Sequence, residues 1–247
     1  MPVKRSQSAT RVLCVLESVA RHQPIGVSEL ARLLGEDKSA VQRAIMTLAD
    51  EGWIAAAPGA TTRWQVTARI LAVAHVGHLR HDLRQRARGR LEALRDESGE
   101  TVLLTVPDTG RFVVIDAVES RQVLRTVPHL GLAVPARGSA TGRAILPYMT
   151  GSQRHEFLSA ADDAKLQKEF AATRERGYSV SVGDVAEGST NIAAPVFELD
   201  GHAAAAVVVS APSERLAPDR HVEVGAMVRR AAHELSRGAP AQAAQLA

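Results

Sequence analysis

Between residues 37 and 46 the chain sets out side chains whose chemistry is hydrogen bonding and charge rather than bond breaking: Lys38, Ser39, Gln42 and Arg43. Wound as a helix at about 100° per residue, Ser39, Gln42, Arg43 and Met46 fall on one face, opposite Val41, Ile45 and Leu48. An arginine fork pairs with a guanine edge and a glutamine amide with an adenine edge, each good pair contributing about 1–3 kcal/mol of discrimination. Arg43 and Gln42 are therefore the expected base readers. Lys38 and Ser39 sit in the first helical turn, where backbone N–H groups and the helix dipole favour a phosphate. Arg63, some twenty residues on, is expected to add a contact to the DNA backbone, which sets register and salt dependence.

Other groups resemble catalytic or metal-binding patterns and do not complete them. Ser139 lies between Gly138 and Gly142, but not at the central place of a Gly-x-Ser-x-Gly nucleophile elbow. The same segment lacks the lysine of a phosphate-binding loop. His75, His78 and His81 recur every three residues, but steps of three turn a helical side chain by about 60°, so the outer two diverge. They are expected to be solvated or at an interface, and no metal or cofactor is expected. Cys14 is the single cysteine, which excludes an internal disulfide and any cysteine cluster; its place among apolar residues predicts a small core residue.

The elements that must hold the polar face follow from periodicity and breakers. Val12, Leu13, Val15, Leu16 and Val19 predict a first helix behind Ser8 as N-cap. Ser28 is expected to cap a second helix through Leu30, Leu33 and Leu34 that ends at Gly35, and Asp37 to cap a third that closes at Gly52. The two-residue turn between the second and third forces them to cross, as in a helix-turn-helix. Trp53 to Ala57 and Thr62 to Val66, joined through Pro58-Gly59-Ala60, read as a small wing. A helix over 68–81 follows, then another from Asp82 to Glu97 with Leu83, Ala87, Leu91 and Leu94 inward. Beyond Gly99 come two hairpins, Thr101–Val106 with Phe112–Val118 and Asn191–Phe197 with Ala203–Ser210. Helices are predicted over Ser139–Met149, Ala164–Arg176 and Pro218–Arg237, and a frayed tail from Gly238. The fold class is α+β.

The 247 residues suit two modest domains, and 45% hydrophobic with 23% charged residues is globular composition. The longest strictly apolar run, Ala203 to Val209, is far short of the roughly 20 residues that span a bilayer, so a cytoplasmic protein with no membrane partner is expected. Charge is uneven. Residues 1–98 carry 15 Lys or Arg against 10 Asp or Glu, a net +5, whereas residues 99–247 carry 15 against 17, a net −2. A basic front fits a polyanionic partner.

The order of these parts resembles the IclR-type bacterial transcriptional regulators. The resemblance rests on Lys38-Ser39-Ala40-Val41-Gln42-Arg43 with Leu48 and Gly52, on Gly99-Glu100-Thr101-Val102, and on Pro135 with Gly138 to Ala144. It also rests on Arg176-Gly177-Tyr178, Glu187-Gly188 and Ile192-Ala193-Ala194-Pro195-Val196. It covers residues 8 to 237. The resemblance implies a winged helix-turn-helix DNA-binding domain (8–67), a linker helix (68–81) and a GAF-like α+β effector-binding domain with an antiparallel sheet (82–238). It further implies a homodimer or homotetramer on double-stranded DNA with a pseudo-palindromic operator. A small-molecule effector, often an organic acid in this family, would sit between the sheet and its covering loops. The positions analogous to the family's pocket are Leu124 on the preceding strand, Gly138, Ser139 and Ala140 at a helix start, Ser181 and Asp184 on a loop, Ser189 and Asn191 entering one strand, and Val208 and Ser210 on the last. The N–H groups of 138–140 are expected to meet a carboxylate, Ser181, Asn191 and Ser210 to hydrogen-bond it, and Leu124 and Val208 to shape the pocket. Acid-binding members often carry a second hydroxyl or thiol where this chain has Val208 and Asn191. Two other readings remain: a constitutive DNA-binding module with an oligomerising rear domain, and an enzyme fused to a winged helix.

Overall fold

The computed structural model describes residues 6–76, 81–158 and 164–237. The chain divides into two compact units, residues 1–81 and 82–247. In the first unit, α1 (Gln7–His22), α2 (Val27–Leu34) and α3 (Lys38–Asp50) precede a two-stranded sheet of β1 (Ile54–Ala56) and β2 (Trp64–Val66), and α4 (Arg69–Val76) follows. Val15 and Val19 of α1, Leu30 of α2, Val41, Ile45 and Leu48 of α3, and Ile54 and Trp64 of the wing form one buried core. Three helices too short to be stable alone thus hold each other by their apolar stripes. Trp64 exchanges both backbone hydrogen bonds with Ile25 (3.1 and 2.8 Å), which fastens the wing to the chain just before α2.

Local details depart from the sequence reading. Ser6, not Ser8, caps α1, its Oγ accepting from the Ala9 N–H. Gly26 is the N-cap of α2 and no side chain caps it, so Ser28 lies inside the first turn. Cys14 is exposed rather than in the core: on a helix that buries only Val15 and Val19 fully, the neighbouring position faces outward. Gly35 adopts the left-handed conformation (φ 64°) that ends α2, as the sequence indicates. Residues 77–80 of the expected 68–81 helix, the tail from Gly238, and His78 with the side chains of His75 and His81 lie outside the described residues.

The second unit opens with α5 (His81–Ser98) and builds one antiparallel sheet. Its strands are β3 (Thr101–Asp108), β4 (Arg111–Val118), β5 (Ala133–Val134), β6 (Ser179–Val182), β7 (Ser189–Phe197) and β8 (Ala203–Pro212), in the order β5-β4-β3-β8-β7-β6. Between β5 and β6 run α6 (Ala140–Ile145), a 3-10 turn at Leu146–Tyr148, α7 (Gly151–Phe157) and α8 (Ala164–Arg176); α9 (His221–Leu235) closes the unit. One face of the sheet packs Leu91 and Leu94 of α5 and Val224 and Val228 of α9. The other packs Ala144 and Ile145 of α6 and Leu166 and Phe170 of α8. The central strands are covered on both faces, which is why β8 reads as a continuous apolar run instead of alternating. Three elements are absent from the sequence reading: β5, β6 and α7, the last marked by a capping box of Thr150 with Gln153.

Candidate functional site

Asp37 builds the start of α3. Its Oδ1 accepts from the Ser39 N–H at 2.8 Å, the Ala40 N–H at 3.2 Å and the Ser39 hydroxyl at 2.5 Å. The Ser39 hydroxyl, then the two backbone N–H groups, hold the Asp37 carboxyl below its ordinary value of 3.8. Lys38, Ser39, Gln42, Arg43 and Met46 are all exposed on the resulting face, while Val41, Ala44, Ile45 and Leu48 are buried behind it. Arg43 Nη1 leans on the Ser39 hydroxyl at 3.3 Å, which points the guanidinium along the outer face. A groove of about 520 Å³ runs beside it, lined by Gly26 to Glu29 and Arg32 of α2, Lys38 and Gln42 of α3, and Thr62 and Arg63 of the wing. Arg32, which the sequence reading passed over, joins Lys38 in this groove because α2 and α3 cross at the short Gly35 turn.

Arg63 departs from its expected availability. Its Nε donates to the Pro24 carbonyl at 2.8 Å and its Nη2 meets Glu29 at 2.9 Å. The pairing of Trp64 with Ile25 brings the wing strand against α2, and the adjacent arginine then finds Glu29. The guanidinium therefore ties the wing to the helix-turn-helix.

In the second unit, strand register assembles most of the remaining residues. Ser181 pairs with Asn191, Asn191 with Ser210, and Ser210 with Thr101, so these four make one row across β6, β7, β8 and β3. The adjoining row is Ser179, Ala193, Val208 and Leu103. Val208 packs on the α6 face, and side chains two residues apart share a face, so the polar row faces α6 as well. Gly138 precedes α6 at φ 85°, and the Ser181 hydroxyl donates to its carbonyl at 2.8 Å. The Ser139 hydroxyl donates to the Pro135 carbonyl at 2.6 Å and accepts from the Gly142 N–H, which makes it the N-cap of α6. Gly142 has to be glycine: a Cβ there would lie 1.9 Å from the Ala136 carbonyl oxygen. Asp184 accepts from Ser181 and pairs with Arg143 at 3.0 Å; Arg143 also meets Glu169 at 2.8 Å and donates to the Val180 carbonyl. Ser189 opens β7, its hydroxyl spent on the Ala186 carbonyl at 2.8 Å.

Two corrections bear on the pocket. Leu124 is not on a strand: β4 ends at Val118, and Leu124 lies 67% exposed on the loop that follows. That loop is fastened to the sheet by Ser120, which donates to the Gly99 carbonyl, and by Thr126, which accepts from the hydroxyls of Thr101 and Ser210. Ser181, in turn, belongs to β6 and not to a loop. The hydroxyls of Ser181 and Ser210 already donate within the protein, to the Gly138 carbonyl and to Thr126 Oγ1. Asn191 makes no side-chain hydrogen bond among the described residues. Thr101, Thr126 and Arg143 were missed because only strand register and the α6 approach place them here.

With this geometry in view, residues 8–58 match the family described as the IclR helix-turn-helix domain, and residues 77–237 match the bacterial transcriptional regulator IclR C-terminal family. The chain belongs to the IclR family of bacterial transcriptional regulators. It is 29% identical to the transcriptional repressor IclR of Escherichia coli, over 93% of this chain and 89% of that protein. It is 30% identical to the acetate operon repressor of Salmonella typhimurium, with the same coverage. Among solved structures, the Thermotoga maritima IclR superposes with a TM-score of 0.72 at 22% identity, covering 92% of this chain and 96% of that one. An IclR homologue from Microbacterium hydrocarbonoxydans complexed with 4-hydroxybenzoate gives 0.75 at 20% identity, covering 93% and 98%. At those identities the superpositions speak to the fold. The α3 face is thus the outer face of an IclR helix-turn-helix, and the relatives are regulators, not enzymes. Among the described residues no helix is long and apolar enough to cross a membrane.

Proposed function

We propose that this IclR-family regulator acts in the cytoplasm as a homodimer or homotetramer that reads a pseudo-palindromic operator. Arg43 and Gln42 of α3 read base edges in the major groove. Lys38 and the N–H groups of the first α3 turn position phosphates, joined by Arg32 from the neighbouring helix, while Arg63 holds the wing in place. The second unit takes a small organic acid against the α6 face of the sheet. The observation that carries this reading is the register that aligns Ser181, Asn191 and Ser210 in one row beside Gly138, Ser139 and Ala140. Asn191 offers the unspent amide for a carboxylate or hydroxyl, Val208 supplies the apolar floor, and Ser189 and Asp184 flank the mouth. Leu124, exposed on the loop that Thr126 fastens to Thr101 and Ser210, shapes the pocket's rim. The relative solved with 4-hydroxybenzoate supports an acid as ligand class. Binding to one arrangement of the protein better than another shifts the DNA equilibrium by that difference and no more. The test is a thermal-shift screen of organic acids on the intact protein, with and without DNA, followed by calorimetry on Asn191→Ala and Ser139→Trp. A hit whose affinity falls in both variants, with DNA binding retained, is expected. Unaltered affinity in both refutes the pocket; a ligand whose binding never changes operator affinity supports the constitutive module.

A further inference from the structure

A second cavity lies at the opposite end of β7 from Asn191. β6 pairs with β7 only from Thr190 to Ala193, so among the described residues no strand covers that edge of Ala194 to Phe197. Pro195 sits in the uncovered stretch, where a missing N–H costs no ladder bond. The floor is completed by Phe197 and Tyr148, whose rings meet edge to face at 4.9 Å. Around it lie Arg174 from the end of α8, Arg229 from the middle and His233 from the last turn of α9, and Arg237 just beyond; among the described residues no carboxylate lines the cavity. Its volume of about 530 Å³ lies in the range of small-molecule sites.

The heads of Arg174 and Arg229 are held in place. Arg174 donates through Nε and Nη2 to the Pro147 carbonyl, the shorter bond at 2.7 Å. Arg229 donates through Nη1 to the Arg176 carbonyl at 3.3 Å. A guanidinium has five N–H donors, so each keeps donors beyond these contacts. The stem of Arg229 lies over Gly177, with Cδ 2.7 Å from where a Cβ would stand. Cations at helix C-termini complement the helix dipole, which accounts for Arg174 and His233 singly. It does not account for Arg229, in the middle of α9, joining them over an apolar floor with no acid between them among the described residues.

From this convergence we infer a second ligand site, independent of the pocket proposed above, for a small monocarboxylate with an aromatic body. The ring lies on Pro195 and Phe197, and the carboxylate faces Arg229 and Arg174 in charge-assisted hydrogen bonds. The chain has two tyrosines, Tyr148 in the cavity wall and Tyr178 outside it, so 3-fluorotyrosine labelling gives a local probe in the full-length protein. With the signal assigned by Tyr148→Phe, titrated benzoate shifts the Tyr148 resonance saturably. Arg229→Gln weakens that binding about tenfold or more, the loss of one charged hydrogen bond. Asn191→Ala leaves it unchanged, which separates this site from the sheet pocket. A Tyr148 signal unmoved at millimolar benzoate, or an affinity unaltered by Arg229→Gln, overturns the proposal. An equal shift with inorganic phosphate overturns the aromatic part of it.

Discussion

Replacing Arg43 with alanine separates recognition from folding. Arg43 is exposed, and its one side-chain hydrogen bond is to the Ser39 hydroxyl at 3.3 Å. No buried group loses a partner, the inner stripe of α3 is untouched, and alanine is the better helix former, so stability changes by less than about 0.5 kcal/mol. A forked contact to guanine is worth about 1–3 kcal/mol, which is roughly 5- to 150-fold in affinity per recognition helix. In the proposed dimer two helices related by a dyad would lose it together, so operator binding is expected to fall by about 2–6 kcal/mol while binding to random duplex falls far less. The assay is fluorescence anisotropy with a duplex selected by the wild-type protein from a random pool, against a scrambled competitor, over a series of salt concentrations. Lys38→Ala is the control: it weakens both duplexes alike and reduces the salt slope by about 0.9 for each phosphate that is no longer neutralised. The reasoning is refuted if Arg43→Ala preserves the ratio of operator to scrambled affinity, or if its melting temperature falls as operator binding is lost.

Asp37→Ala lowers both the melting temperature and operator affinity, since three donors at the start of α3 lose their acceptor. The wild-type carboxyl is held below its ordinary value, so its stabilisation is complete above that value, 3.8, and is lost as pH falls through the lower, folded one. The gap between wild type and variant in thermal melts therefore closes on acidification below 3.8, and a constant gap would contradict the capping role. Glu100 is 3% exposed and held by Arg215 in two bonds of 2.6 and 2.7 Å. Arg215→Met strands that carboxylate, and urea unfolding should show a loss on the order of 3 kcal/mol, largely recovered by adding Glu100→Gln; a loss near zero would mean water already reaches the pair. Gly142→Ala drives a Cβ into the Ala136 carbonyl, so a destabilisation of about 1–3 kcal/mol and loss of the ligand-induced thermal shift are expected, and a fully responsive variant would show that the loop before α6 gives way freely.

The amino-acid sequence by itself determined the three helices of the first unit and the outward face of α3. Periodicity and caps are local: Asp37, Gly35 and the stripe of Val41, Ile45 and Leu48 act within a few residues of one another, so α3 and its outward Gln42 and Arg43 were legible without any partner. The two hairpins were legible for the same reason, as each strand pair is joined by a short turn. Tertiary structure decided what depends on contacts distant in sequence. Arg63 reads as a free cation until Ile25 pairs with Trp64, 39 residues away, and sets it against Glu29. Leu124 reads as a strand residue, but β4 ends at Val118 and the loop beyond is held by Ser120 on the Gly99 carbonyl and by Thr126 on Thr101 and Ser210. Cys14 reads as core, yet only the packing of α1 on α3 fixes which part of a broad apolar stripe is inside. The row of Ser181, Asn191, Ser210 and Thr101 draws on four strands, two of them more than eighty residues apart along the chain. Register across such separations is set by which faces are buried, and burial is a property of the assembled sheet, not of any one segment.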